Sequence, residues 1–332
     1  MTITEASAEA IARASDLLRA GRLVGLPTET VYGLGADAAN EAAVAEIFRA
    51  KGRPADHPLI VHIGDAEALT TWAARVPKDA IALARAFWPG PLTMILEKAD
   101  DVSDLVTGGQ PTVGLRMPDH PVALALLRRF GGGIAAPSAN RFGRISPTTA
   151  AHVESELGEA VAMVLDGGDC LVGIESTILD LSGSTPVILR PGAIDADAIA
   201  AVIGRRPLHR EELAAEVDTP RVSGALPAHY APTTAMRLLD HAALMAAVAE
   251  APGCRTAVLS REPMADGFDG IWKRAPHSAD AYARALYADL RALDAAGCER
   301  ILVETPSPDP AWRAIRDRLE RAARGAADHD ET

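Results

Sequence analysis

Cysteine is scarce in this 332-residue chain: Cys170, Cys254 and Cys298 are its only three, and no two stand at metal-ligand spacing. That excludes a disulfide framework and a cysteine-built zinc site, and it fits a reducing compartment. Basic charge is short too, with 33 Lys+Arg against 45 Asp+Glu for a net charge of −12. Coating nucleic acid is driven by Lys and Arg neutralising phosphates, so this balance argues against it as the main task, while leaving room for a local basic cleft. Every apolar stretch is interrupted well before the roughly 20 residues that span a bilayer. Met1–Arg13 carries acids and lacks a basic start followed by an apolar run, so a cytoplasmic protein with no membrane partner is expected. Nucleotide fingerprints are missing as well. Gly33 and Gly35 lack the third glycine of a dinucleotide site, no Gly-x-x-x-x-Gly-Lys loop occurs, and no Gly-x-Ser-x-Gly elbow supports an acyl-enzyme.

What remains is an ordinary globular mix, 48% apolar and 23% charged, long enough for two domains. From residue 6 to 204, helical periodicities alternate with short β-rich runs, the pattern of a mixed α/β domain. Strands are expected at Leu23–Leu26, Leu59–Ile63, Thr93–Glu97, Val113–Arg116, Gly133–Ala136, Met163–Leu165, Ser176–Leu181 and Val187–Arg190. Residues 205–232 carry Pro207, Pro220, Pro227 and Pro232 with no sustained strand or helix pattern, a linker or a lid. Alternation resumes over 233–325 as a second, smaller α/β domain. Its strands are expected at Met236–Leu239, Thr256–Ser260 and Arg300–Glu304, and its helices near 242–250, 278–296 and 311–324. The polar end, 326–332, is expected to fray.

Five segments could carry chemistry. In Pro27-Thr28-Glu29-Thr30-Val31-Tyr32-Gly33, an extended chain would place the Thr28, Thr30 and Tyr32 hydroxyls on one face. Lys51-Gly52-Arg53-Pro54 closes a helix in which Lys51 continues the apolar stripe of Val44, Ile47 and Phe48, so the cation points inward. His57 and His62 follow, the latter inside an apolar strand. Arg116, also in a short apolar strand, must meet an anion: a substrate carboxylate gripped bidentately or a nearby Asp or Glu accounts for it equally well. Gly114, two residues earlier on its face, leaves room. Ser146-Pro147 reads as a helix start, with Ser146 as N-cap and a positive end suited to phosphate. Ser176 shares a strand face with Ile178, and Arg190 shares one with Ile188. Four cations, several hydroxyls and no candidate nucleophile suit phosphoryl or nucleotidyl transfer run by positioning and electrostatics.

The series PTETVYGLG, KGRP, HPL, WPGPLT, GLRMP, APSANRFGRISPT, ESTI and ILRPG, followed by HYAP at the end of the connector, closely resembles the Sua5/YrdC/YwlC family of threonylcarbamoyl-AMP synthases over Pro27–Pro232. The connector and second domain resemble its longer, Sua5-type members. The resemblance implies a twisted open mixed α/β sheet of the YrdC-like type with a deep cationic concavity, followed by a smaller Rossmann-like α/β domain. It implies that L-threonine, bicarbonate and ATP, with Mg²⁺ attending the phosphates, give L-threonylcarbamoyl-adenylate and pyrophosphate. It further implies that the product passes to a tRNA threonylcarbamoyl transferase complex for t6A modification. By motif, Thr30, Tyr32, His62, Arg116, Ala136 and Ser176 would surround L-threonine. Lys51, Arg53, His57, Thr112, Ser138, Asn140, Ser146, Arg190 and Tyr230 would meet ATP, with Lys51, Arg53 and Arg190 offsetting phosphate charge. His57 stands where the family commonly has Asn, so that contact would depend on pH. Rival expectations are an RNA-binding module using the cationic concavity, with weak tRNA contact, and a carbamoyl-transfer enzyme like the hydrogenase maturation factors. The second lacks its cysteine clusters here.

Overall fold

The computed structural model describes residues 2–214, 219–250 and 255–327, so Cys254 and the tail from 328 lie outside the described residues. The backbone divides into two compact units. The first comprises Met1–Phe142, Pro147–Leu171 and Glu175–Ala225. Its strands are β1 (Ile3–Glu5), β2 (Val24–Leu26), β3 (Gly33–Asp37), β4 (Ile60–His62), β5 (Leu92–Glu97), β6 (Thr112–Arg116), β7 (Ile134–Ala135), β8 (Met163–Asp166), β9 (Thr177–Asp180), β10 (Val187–Arg190) and β11 (Leu208–His209). They form one mixed sheet in the order β1-β8-β2-β3-β7-β4-β6-β5-β9-β10-β11. Its longer helices are α1 (Ala8–Arg19), α2 (Glu41–Lys51), α3 (Lys78–Phe87), α4 (Pro121–Phe130), α5 (Ala150–Leu157) and α6 (Ala196–Ile203).

The expected strands recur within a residue or two, whereas β1, β3 and β11 were not read from the sequence. β3, Gly-Leu-Gly-Ala-Asp, hides because glycine is a poor strand signal. Its glycine has a steric reason: a Cβ on Gly35 would lie 2.8 Å from Leu26 Cδ2 and 3.0 Å from Ile134 Cγ2. β11 and a short 3₁₀ turn at Arg210–Glu212 correct the expectation of a featureless connector.

Pairing register decides which side chains share a face. His62 is paired with Ile134 on β7 and with Arg116 on β6; Ile60 is paired with Gly114, Gly114 with Ile95, and Thr93 with Ile178. Because paired residues point the same way, all of these share one face. Over β2, β7 and β8 that face is covered by α1 and α4, whose Ala14, Leu18, Ala123 and Leu126 pack on Val24, Leu26 and Ile134. Over β4, β6, β5, β9 and β10 no described helix of the first unit contributes to the apolar cluster on that face. Ile95, Ile178, Val187 and Leu189 there meet Val222 and partly buried Ala225 from the connector instead. The opposite face carries the larger core, with α2 contributing Val44, Ile47 and Phe48, each stabilising the fold by about 1.5–3 kcal/mol relative to exposure.

The second unit comprises Gly143–Ser146, Val172–Ile174 and Leu226–Thr332. Its sheet of β12 (Ala235–Leu239), β13 (Thr256–Ser260), β14 (Ile271–Arg274) and β15 (Arg300–Glu304) is all parallel, in the order β12-β15-β13-β14. Helices α7 (His241–Glu250), α8 (Ala279–Asp294) and α9 (Arg313–Ala327) complete it. Ser278 caps α8 as expected, its hydroxyl accepting from Ala281 N. β14, with exposed Ile271, Lys273 and Arg274, is too polar to have been read as a strand. Among the described residues no helix is long and apolar enough to cross a membrane.

Candidate active site

The uncovered stretch of sheet gathers Arg116, His62, Thr112, Ser176 and Arg190. Arg116, at the end of β6, is buried among oxygens. It donates from Nε to Gly90 O (3.3 Å), from Nη1 to Thr30 Oγ1 (2.9 Å) and from Nη2 to Glu29 Oε1 (2.5 Å). Of the two partners left open by the sequence, the internal carboxylate is therefore present. Glu29, a residue sequence reasoning missed, also accepts from Asp119 N (3.0 Å).

His62 lies beside Arg116 across the parallel β4–β6 ladder. Burial, and then the Arg116 charge, push its pKa down to about 3, so the ring is neutral near pH 7. Its buried Nδ1 has no hydrogen-bond partner among the described residues.

The segment around Thr30 is not extended, which corrects the expectation of three hydroxyls on one strand face. Thr28 Oγ1 accepts from Thr30 N and Val31 N and donates to Val31 O, folding residues 28–31 into a side-chain-capped bend. Thr28 and Thr30 remain linked through their hydroxyls (2.9 Å), whereas Tyr32 turns into the core. Its hydroxyl donates to Gly168 O (2.9 Å) and accepts from Gly167 N (3.2 Å), and burial raises its pKa. Ala136 is buried at the end of β7, its N–H bonded to Ile60 O.

Arg190 reaches the same face by a route the sequence did not show. A register shift between Ile188 and Arg190 interrupts the β9–β10 ladder, so Ile188 pairs with Leu179 on the core face and Arg190 with Ile178 on the open one. Such a bulge re-aims the side chain that follows it, which corrects the expectation that Arg190 shares the Ile188 face. The guanidinium donates to Ser176 O (3.1 and 2.9 Å), Ser176 Oγ (3.1 Å) and Ser223 O (2.8 Å). Ser176 Oγ also bonds Thr93 Oγ1 at 2.7 Å, a second missed residue.

Lys51 ends α2, which Gly52 terminates in the left-handed conformation at φ 62°. As the stripe implied, Lys51 is buried; its Nζ donates to Ser138 O (2.6 Å) and Asn140 O (2.5 Å). Burial, then the neighbouring Arg53 charge, lower its pKa well below the usual amine value. Arg53 donates to Pro58 O (2.9 Å) and toward Ser223 Oγ (3.5 Å), and it faces the Phe142 ring. His57 stands edge-on to the same ring, its pKa lowered by burial and then by Arg53. Thr112 lines a narrow cleft with Pro58, Ile60, Ile95 and Gly114, walled on one side by Arg221, Val222 and Ser223. Reciprocal bonds between Gln110 and the Arg221 backbone (2.6 and 3.1 Å) hold that wall.

Ser146 and Tyr230 belong to the second unit. The expected helix start at Ser146-Pro147 is absent: α5 begins at Ala150, capped by Thr149, whose hydroxyl accepts from His152 N. The Pro147 carbonyl is taken by Tyr32 N. Ser146 is instead buried, its carbonyl accepting from Arg291. Tyr230 sits at φ 62°, stacked on Tyr287 (5.8 Å) with Arg318 over its ring (5.3 Å).

Among the described residues no group of three His, Cys, Asp or Glu could hold a metal ion. Among the described residues, register puts Arg116, Arg190 and Asp180 on the open face, with the Arg116-bound Glu29 beside them, and Asp180 Oδ1 is already taken by Ser182 N and Oγ. This donor set does not fit a protein-held Mg²⁺, so an ion accompanying ATP would travel on its phosphates.

Residues 16–192 match the Sua5/YciO/YrdC family, described under "Telomere recombination", and residues 194–324 match "Threonylcarbamoyl-AMP synthase, C-terminal domain". The chain is 42% identical over 324 residues to a threonylcarbamoyl-AMP synthase of Bacillus subtilis, covering 95% of this chain and 93% of that one. It is 46% identical over 227 residues to the enzyme of that name from Pyrococcus abyssi, covering 68% and 67%. The solved structure of P. abyssi Sua5 complexed with L-threonine superposes with a TM-score of 0.89 at 37% identity, covering 98% of each chain.

Proposed function

The chain belongs to the Sua5/YciO/YrdC family, and from that premise we infer that it is a threonylcarbamoyl-AMP synthase, an enzyme that joins L-threonine, bicarbonate and ATP into L-threonylcarbamoyl-adenylate and releases pyrophosphate. The observation that carries this is the single uncovered sheet face on which register and a bulge bring together Arg116, His62, Ser176 and Arg190. An RNA-binding module is not favoured, because the chain is acidic overall.

Arg116 and Thr30 would fix the threonine carboxylate, and the neutral His62 ring would accept from a donor on the same substrate. The threonine amine, once neutral, attacks bicarbonate and expels water to give an N-carboxylate. That carboxylate attacks the α-phosphorus of ATP, forming a P–O bond as the bond to pyrophosphate breaks. Lys51, Arg53 and Arg190 would offset charge developing on the phosphates, which is electrostatic positioning with no protein nucleophile. Mg²⁺ would enter as part of the nucleotide substrate. The product is a reactive mixed anhydride, so it must be taken up promptly; a tRNA threonylcarbamoyl transferase complex in the cytoplasm would be its consumer. Any weak tRNA contact would fall steeply with salt. The test is pyrophosphate release from ATP with threonine and bicarbonate each omitted in turn. Release should require both, and release without threonine, or capture of a covalent adenylyl-enzyme, contradicts the assignment.

A further inference from the structure

Glu29 is a buried carboxylate for which the proposed chemistry has no role. It is only 4% exposed, and the residue it meets, Arg116, is equally buried. A charge so enclosed is costly unless paired, and both Glu29 oxygens are in use: Oε1 takes the Arg116 Nη2 bond at 2.5 Å, and Oε2 takes Asp119 N at 3.0 Å. The carboxylate thus ties the 28–31 bend to the loop after β6, with the guanidinium between them. Thr30 Oγ1 holds Nη1 and Gly90 O holds Nε. A planar five-donor group with three donors held on two separate segments, the 28–31 bend and Gly90, is fixed against rotation. Among the described residues, one N–H on each terminal nitrogen has no protein acceptor.

We propose that Glu29 is the positioning residue of Arg116: it fixes the guanidinium plane so that the two remaining N–H groups meet the α-carboxylate of L-threonine as a preset pair. This rests on the assignment of Arg116 to that carboxylate. Positioning of this kind acts on threonine capture and leaves nucleotide affinity alone, because Glu29 touches none of Lys51, Arg53 or Arg190.

The experiment measures KM for threonine and for ATP, by pyrophosphate release, in the full-length wild type, Glu29→Gln, Glu29→Asp, Arg116→Gln and the Glu29→Gln/Arg116→Gln double variant. Glu29→Gln, which keeps the shape but loses the charge, should raise the threonine KM about tenfold or more, with the ATP KM within about twofold. Glu29→Asp keeps the charge but falls short of Nη2 and should not restore the threonine KM. The double variant should be no worse than Arg116→Gln alone, since the two act as one unit. Additive losses, or equal losses for ATP and threonine, would show a general structural role and overturn the proposal. If Arg116→Gln leaves threonine usage unchanged, the carboxylate assignment itself is wrong. If Arg116→Gln impairs it and Glu29→Gln does not, only the positioning role fails. Should the Glu29 variants not fold, the wild type decides by NMR of the Arg116 side chain. Separately resolved Nη protons without threonine are expected for a held guanidinium, and rotationally averaged ones refute the proposal.

Discussion

His62 shows how much a single side chain owes to its surroundings. The ordinary imidazole pKa of 6.5 is pushed down to about 3 by burial and then by the Arg116 charge. Between those values the unfolded chain binds a proton that the folded one refuses. Stability is therefore intact above pH 6.5 and falls as pH drops toward 3, by up to about 1.4 kcal/mol per pH unit from this group. Urea midpoints measured from pH 7 to 4 should fall more steeply for the wild type than for His62→Gln, and identical slopes would refute the assigned environment. At this scale the sequence was informative where a charge broke an apolar pattern: Lys51 on the α2 stripe and Arg116 in β6 both proved buried. Glu29 was not legible, because its partner lies 87 positions away and nothing local marks their meeting. Arg190 was misjudged for a related reason. Alternation assigns a face only while the ladder is regular, and no local rule announces the slip after Ile188.

Among the elements, α2 is the one most fully written in its own residues. Asn40 caps its start by accepting from Ala43 N, the stripe buries one face, and Gly52 ends it. A Cβ on Gly52 would meet nothing within 4 Å, so its replacement is opposed by backbone conformation alone. Gly52→Ala should cost about 1 kcal/mol, read as a lower urea midpoint with an unchanged slope. A neutral result would mean the terminus relaxes out of the left-handed conformation. α5 teaches the opposite lesson. Ser-Pro is a good helix start in isolation, but the Pro147 carbonyl belongs to Tyr32 N, and the helix waits for Thr149. Long-range pairing overrode a valid local signal, as it did for the glycine-rich β3.

For the whole molecule, the connector is where composition said least and the structure adds most. Proline density marked 205–232 as neither helix nor sheet, yet the described residues up to Ala225 group with the first unit and those from Leu226 with the second. Ser223 meets Arg190 and Arg53, the two arginines assigned to the phosphates. ATP should accordingly slow limited proteolysis within 205–232, and equal cleavage rates with and without nucleotide would contradict a lid. The sheet beneath has a different character. His62 and Arg116 face each other across a parallel ladder, where neighbouring strands run about 4.8 Å apart. The spacing of the two backbone positions that carry the imidazole and the guanidinium is thus set by the lattice of backbone hydrogen bonds. Breathing of the surrounding chain can alter what arrives there, but the ruler against which the amino acid is measured keeps its length until the strands themselves come apart.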